Sequence, residues 1–213
     1  MRLRKVKNAL EKLKKNTDYF IEYPTNYIGK WQAVFQNDHP IHIEIGCGKG
    51  QFISNMALNY PEINFIAIEK YDSVLLRCLE KVEDMKLSNL RLIILDATNL
   101  EMVFDKQEID RIYINFSDPW PKYAHRKRRL TYPTFLSSYD AVLKDDGAVY
   151  QKTDNRLLFA YSLEQFNQEG WILSNISLDL HHDEVENVTT EFEDKWSKLG
   201  PIYRLEATKR KKQ

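Results

Sequence analysis

Residues 41–50 read IHIEIGCGKG. Isoleucine at alternate positions fits a short strand, and a glycine-rich turn follows it directly. Glycines at 46, 48 and 50 let a chain turn tightly and bring bare backbone N–H groups close to a ligand. The spacing is G-x-G-x-G. It matches neither the G-x-x-x-x-G-K-[ST] loop that cradles nucleoside triphosphates nor the G-x-G-x-x-G of dinucleotide folds. Glu44, two residues before the first glycine, would repel a pyrophosphate and attract a cation.

Four further strand candidates follow: NFIAIE (64–69), LRLIIL (90–95), RIYINF (111–116) and GAVYQKT (147–153). Helical patterns over 51–59, 72–86, 132–144 and 156–168 alternate with them. Gly170 reads as a helix stop, and Asp145-Asp146-Gly147 as a turn. Strand–helix alternation predicts an α/β fold, a parallel sheet with helices on both faces. WILSNISLDL (171–180) and IYRLEATK (202–209) read as a hairpin-like finish on one edge, with 184–199 inserted between them. In open sheets of this kind, ligands bind at the carboxyl ends of the strands.

At 213 residues, with 43% hydrophobic and 12% aromatic content, the chain is expected to form one well-cored domain. Its parts would be a basic N-terminal arm or helix over 1–35 and a catalytic core over 41–213. Cys47 and Cys78 are too few for a disulfide framework, which points to a reducing, cytoplasmic setting. The basic N-terminus lacks the apolar core of a signal peptide, and no apolar run is long enough to span a bilayer. No membrane partner is expected, and a monomer or homodimer is. His181-His182-Asp183-Glu184 has metal-ligand residue types without paired spacing, and reads as a solvated loop. No metal is expected.

The formal net charge is zero, yet residues 1–15, 122–129 and 209–212 carry 16 of the 31 Lys and Arg residues with one acid among them. Local field, not total charge, steers a phosphate backbone, so three basic clusters on an acidic body point to a polyanion.

Acids also stand at the other strand ends. Glu69 closes the second strand, where a carboxylate can grip a ribose diol in two places. Asp96 follows the third, beside Ala97, placed to accept from an adenine amino group. Asp118 lies just past the fourth. Capping a helix is the commoner role of any single such acid. Four of them, together with the glycine turn, point to one shared ligand that carries adenosine and positive charge but no phosphate: S-adenosylmethionine. Its expected contacts are Glu44, Gly46, Gly48, Gly50, Glu69, Asp96, Ala97 and Asp118. The pattern looks like the Rossmann-like class I methyltransferase fold, a mostly parallel seven-stranded sheet with an antiparallel last strand.

The methyl acceptor is read from residues 116–130, FSDPWPKYAHRKRRL. A cytosine-C5 enzyme needs a cysteine nucleophile, and neither Cys47 nor Cys78 is suitably placed. Asp118-Pro119-Trp120-Pro121 also differs in spelling from the D-P-P-Y of exocyclic-amine enzymes. A ring nitrogen remains, or a protein or small-molecule acceptor.

S-D-P-W-P-K-x-x-H-x-K-R-R-L (117–130), with E-I-G-C-G-K-G (44–50) upstream and T-D-N (153–155) and T-E-F-E-D-K (190–195) downstream, resembles the TrmB family of tRNA (guanine-N7-)-methyltransferases. The resemblance covers essentially the whole chain. It implies methyl transfer from S-adenosylmethionine to guanine N7 at nucleotide 46 of the tRNA variable loop. It also implies that Asp118 is catalytic and that Lys122, Asp154 and the stretch from Thr190 to Glu193 contact the acceptor nucleotide. RNA would be touched by Ala124, His125, Arg126, Lys127, Arg128 and Arg129; family members usually carry Arg where this chain has Ala124.

Guanine N7 brings its own lone pair, so Asp118 is expected to orient and to stabilise charge instead of removing a proton. Trp120, stiffened by a proline on each side, has two places open to it, against the purine or in the core. Two other readings share these motifs: methylation of another RNA base position, and a non-catalytic RNA-binding subunit.

Overall fold

The computed structural model describes residues 6–209. Arg2, Arg4, Lys5, Arg210, Lys211 and Lys212 of the terminal basic clusters lie outside the described residues. Seven strands form one sheet: β1 (Ile41–Ile45), β2 (Asn64–Glu69), β3 (Leu90–Ile94), β4 (Ile109–Asn115), β5 (Leu143–Thr153), β6 (Ile172–Ser177) and β7 (Tyr203–Thr208). Their order is β3-β2-β1-β4-β5-β7-β6. The pairs among β1 to β5 are parallel, and β7 runs antiparallel to both β5 and β6. This is the Rossmann-like class I architecture expected above, antiparallel last strand included. The strand order reverses beside β1, so the carboxyl ends of β1 and β4 flank the crevice where such sheets bind ligands.

Both faces of the sheet are covered, so β1 is buried along its whole length. Its side chains alternate between two cores. Ile41, Ile43 and Ile45 face one built with Trp31, Phe104 and Tyr139. The opposite core gathers Leu13, Phe52, Phe65 and Leu79. The α-helices are α1 (Ala9–Lys14), α2 (Trp31–Phe35), α3 (Gln51–Asn59), α4 (Asp72–Met85), α5 (Pro133–Val142), α6 (Arg156–Gln168) and α7 (Glu191–Trp196), joined by short 3-10 turns that include Ala97–Met102 and Tyr123–Arg128. Among the described residues no helix is long and apolar enough to cross a membrane.

Two features depart from the sequence reading. Asp145-Asp146-Gly147 does fold back, but inside β5. Ile109 pairs with Leu143 and Arg111 already with Ala148, so the turn is looped out and pairing resumes beyond it. A Cβ on Gly147 would lie 2.9 Å from both the Leu143 side chain and the Lys144 carbonyl, a contact only glycine avoids.

The basic N-terminal arm, in turn, is largely structural. Phe20 bridges to Leu92 in parallel, with Ile21 N–H donating to the Leu92 carbonyl (3.0 Å) and Leu92 N–H to that of Tyr19 (2.9 Å). The arm thereby covers the open edge of β3. Further along, fully buried Trp31 donates from its ring nitrogen to the Val103 carbonyl at 2.9 Å and packs on Phe104. Trp31→Ala is expected to cost roughly 3–5 kcal/mol, read as a lower urea midpoint at unchanged slope. An arm that merely trailed in solvent would leave the midpoint unmoved.

Candidate active site

β1 runs into three glycines with positive φ: Gly46 (75°), Gly48 (59°) and Gly50 (80°). The first two face open space, since a Cβ there would meet nothing within 4 Å. They require glycine for φ alone, and both line a cleft of about 810 Å³. That volume suits a cofactor-sized ligand. Gly50, expected to touch the cofactor, does something else. A Cβ there would sit 2.2 Å from the Cys78 sulfur, so Gly50 is the close packing contact between the turn and α4.

The cleft opens at the carboxyl ends of β1 to β4 and brings together Glu69, Asp96, Ala97 and Asp118 with the two glycines. Glu69 Oε1 accepts from the backbone N–H groups of Lys70 (2.8 Å) and Tyr71 (3.1 Å), while Oε2 accepts from that of Gly48 (3.2 Å). Oε1 is thus filled, and Oε2 is the oxygen left to reach a hydroxyl. The expected two-point grip on a diol would first need a backbone donor released. Burial pushes the Glu69 carboxyl up, against the pull of those donors.

Asp96 takes the common role of such acids as well as lining the cleft. Its Oδ1 caps the turn after β3 by accepting from Thr98 N–H at 3.1 Å, and its Oδ2 pairs with Lys70 at 2.6 Å. The Lys70 ammonium holds the Asp96 carboxyl below its usual range.

Glu44 is 2% exposed and does not itself line the cleft, which it meets through Asn115. Oε1 accepts from Asn115 Nδ2 at 2.8 Å, and Oε2 is buried with no partner. Burial drives its pKa up to about 8. An unpaired acceptor of this kind is costly unless a cation or donor completes it.

The turn after β4 is strained on either side of Asp118. Phe116 and Trp120 hold φ of 50° and 42°, a region that bulky residues rarely enter and that costs on the order of 1–3 kcal/mol each. Arg129 secures it, with Nε donating to the Pro119 carbonyl and Nη2 to that of Trp120, both at 3.0 Å, while its guanidinium stacks on Tyr161. Asp118 is left exposed at the cleft mouth.

The basic cluster is therefore divided. Arg129 is committed to the turn. Arg128 lies over the Trp120 ring at 4.8 Å and His125 meets its edge, so Trp120 sits neither in the core nor bare but at the rim. Arg126 stacks on Tyr123, whereas Lys122, Ala124 and Lys127 are exposed.

Of the residues expected to meet an acceptor, Asp154 is exposed at the end of β5, next to the end of β4 from which Asp118 follows. Thr190 and Glu193 do not line the cleft. Thr190 caps α7, and Glu193 is fully buried against Lys152 at 2.5 Å. His181 is exposed, as read, and its Nε2 also lies 3.1 Å from Glu193.

Sequence reasoning passed over Asn115, Lys152 and Lys70. A signal existed for Lys152: a lone cation in the strand GAVYQKT needs a buried counter-charge once that strand is central.

The sheet order, the antiparallel β7 and the glycine-walled cleft at the strand ends together define a class I methyltransferase. The 16S rRNA methyltransferase KamB shares the fold, with a TM-score of 0.66 over 84% of this chain and 92% of that one, at 13% identity. A family model described as "Putative methyltransferase" matches residues 38–205. Proteins named tRNA (guanine-N(7)-)-methyltransferase from Bacillus subtilis (strain 168) and Lachnoclostridium phytofermentans are 50% and 51% identical to this chain. These alignments span 97% and 99% of this chain, and 98% and 100% of theirs. The chain belongs to this family, the TrmB family.

Folding raises the Glu44 pKa from 4.5 to about 8, so the folded state holds that proton more tightly and stability falls as pH rises between the two values. Glu44→Gln keeps an acceptor for Asn115 and removes the buried charge. Its melting temperature should match that of the native protein at pH 4.5 or below and exceed it by roughly 10 °C above pH 8. A constant difference across pH would mean that Glu44 does not titrate in this way.

Proposed function

We propose that this chain transfers the methyl group of S-adenosylmethionine to N7 of a guanine in tRNA, at nucleotide 46 of the variable loop, acting in the cytoplasm as one methyltransferase domain. One observation carries the reading. Relatives half identical along their full length bear the name tRNA (guanine-N(7)-)-methyltransferase, and the strand-end acids of this chain surround a cleft suited to that cofactor.

Three features of the cleft fit the cofactor. Glu44 has a buried, unpartnered oxygen near the glycine turn. Gly46 and Gly48 leave open space where side chains would stand. Glu69 Oε2 keeps a free site facing the same cleft. Asp96 and Ala97 would border the adenine. When bound, S-adenosylmethionine supplies a methyl on a sulfonium, and transfer moves the positive charge from sulfur to the purine.

Because guanine N7 carries a lone pair, no residue has to take a proton first. The work of the chain is to hold the base in line and to meet the charge that develops on it. Asp118 and Asp154, two exposed carboxylates at neighbouring strand ends, are acceptors suited to the N1–H and amino group of guanine. A carboxylate there also offsets positive charge on the purine. The strained turn fixes the Asp118 backbone before the base arrives. Lys122, Arg126 and Lys127 would meet phosphates, which position an RNA without naming its base.

Incubation of purified protein with tritium-labelled cofactor and unmodified tRNA, followed by nucleoside analysis, should give 7-methylguanosine. Replacing guanine 46 by adenine should abolish it. Another methylated nucleoside, or none, would refute the proposal. In the same assay Asp118→Ala should lower kcat roughly 10²–10³-fold with cofactor affinity little changed; an unaltered kcat would remove Asp118 from the chemistry.

A second measurement concerns the cluster. Arg126→Ala with Lys127→Ala should raise KM for tRNA and reduce the slope of log affinity against log salt by roughly 1–2, leaving kcat intact. A slope equal to the native one would take these two side chains off the phosphates.

A further inference from the structure

Thr190-Glu191-Phe192-Glu193 has the T-x-x-E spelling of a capping box, in which the first and fourth side chains each bond the other's backbone N–H. Half of it forms: Thr190 Oγ1 accepts from Glu193 N–H at 2.9 Å. The Glu193 side chain turns inward instead of returning the bond. Its Oε2 lies 2.5 Å from Lys152 Nζ, and its Oε1 accepts from Asn187 Nδ2 at 2.6 Å.

Lys152 spends all three N–H donors on this one segment. Besides Glu193 it donates to the Val188 carbonyl (2.8 Å) and to Asn187 Oδ1 (3.1 Å). Elsewhere in residues 183–193, Tyr60 O–H donates to Glu186 at 2.8 Å and Val188 packs against the core that holds Phe52 and Phe65. Residues 183–186 are exposed, and a cavity of about 200 Å³ lies under Asn187 and Val188. The other polar ties of α7, Gln51 to Asp194 (2.7 Å) and Lys81 to Glu191 (2.8 Å), lie nearer solvent, where such contacts add little. Losing one partner of a buried pair is different in kind, because it strands an uncompensated charge.

The Lys152 backbone serves the opposite wall. Its carbonyl accepts from Phe116 N–H at 2.8 Å, where the turn carrying Asp118 begins. The two walls then meet, as Phe116 packs on Phe192 with ring centres 5.0 Å apart.

We propose that Lys152 is a positioning residue for the acceptor side. Its ammonium fastens residues 187–193 to the end of β5 while its backbone holds the start of the 116–121 turn, and Glu193 acts through Lys152 instead of touching the acceptor nucleotide. This rests on the tRNA-methylation reading above, and it reassigns Glu193 within it.

A double-mutant cycle tests the proposal. Lys152→Met and Glu193→Gln should each raise KM for tRNA about tenfold, with a smaller effect on kcat. The combined variant should be no worse than Glu193→Gln alone, and Lys152→Arg should restore most of the affinity. The combined variant leaves no buried charge, so its comparison with Glu193→Gln stands even if Lys152→Met alone does not fold. A further tenfold loss in the combined variant would overturn the proposal, since Glu193 would then act independently of Lys152. Hydrogen exchange of the free protein reads the fastening without substrate: amides of 187–197 should exchange about tenfold faster in the combined variant, with β1 to β4 unchanged. Native protection there would also overturn it. If the native protein makes no 7-methylguanosine, the functional reading fails, and the exchange result still decides the fastening.

Discussion

The carboxyl end of β1 carries a carboxyl group that the fold buries and satisfies on one oxygen only, so that burial holds it protonated up to about pH 8. Glu44 has one oxygen on Asn115 and one on nothing, in a strand buried along its whole length. Much of the surroundings is arranged around that cost. Lys152 stands on the same side, close enough to pull the Glu44 pKa down against burial. Lys152 is itself buried, which lowers its own pKa and obliges it to take Glu193 as partner. A polar chain therefore passes from Glu44 on β1 to Lys152 on β5 and Glu193 on α7. Its inner end keeps one open oxygen, and a cation or donor that reached Glu44 would favour the ionised form that burial disfavours.

The turn after β4 follows a related logic. Strained φ values at Phe116 and Trp120 are unfavourable in the free chain and persist because Arg129 holds two carbonyls between them and α5. The segment richest in cations thus spends part of its charge on itself. Arg129 braces, Arg126 and Arg128 each lie over an aromatic ring, and Lys122 and Lys127 are the exposed cations without such a contact. A count of cations overstates the field that an RNA would meet; the geometry says which of them are free to meet it.

Along the β3 edge of the sheet, the basic N-terminal arm makes the same point. Lys7, Lys12 and Lys15 face water, but Leu13, Phe20 and Trp31 are core residues, and its backbone finishes the β3 edge. Charge and structure share one segment because a helix or extended chain has two sides, and only one of them is legible as a cluster.

Much of this was written in the sequence. Isoleucine alternation located β1 and β2 to the residue, the glycine turn marked the crevice, and three of the four strand-end acids do line one cleft. Local rules suffice there because alternation, turn chemistry and strand-end position are properties of neighbouring residues. The sequence alone could not tell that Gly50 answers to the Cys78 sulfur, that Arg129 faces inward, or that Glu193 leaves its own helix cap for Lys152, which lies 41 residues earlier. Each depends on which groups are buried together, and burial is decided when distant segments pack. Spacing named the candidates for the site, and tertiary structure decided which of them face the cleft and which hold it in place.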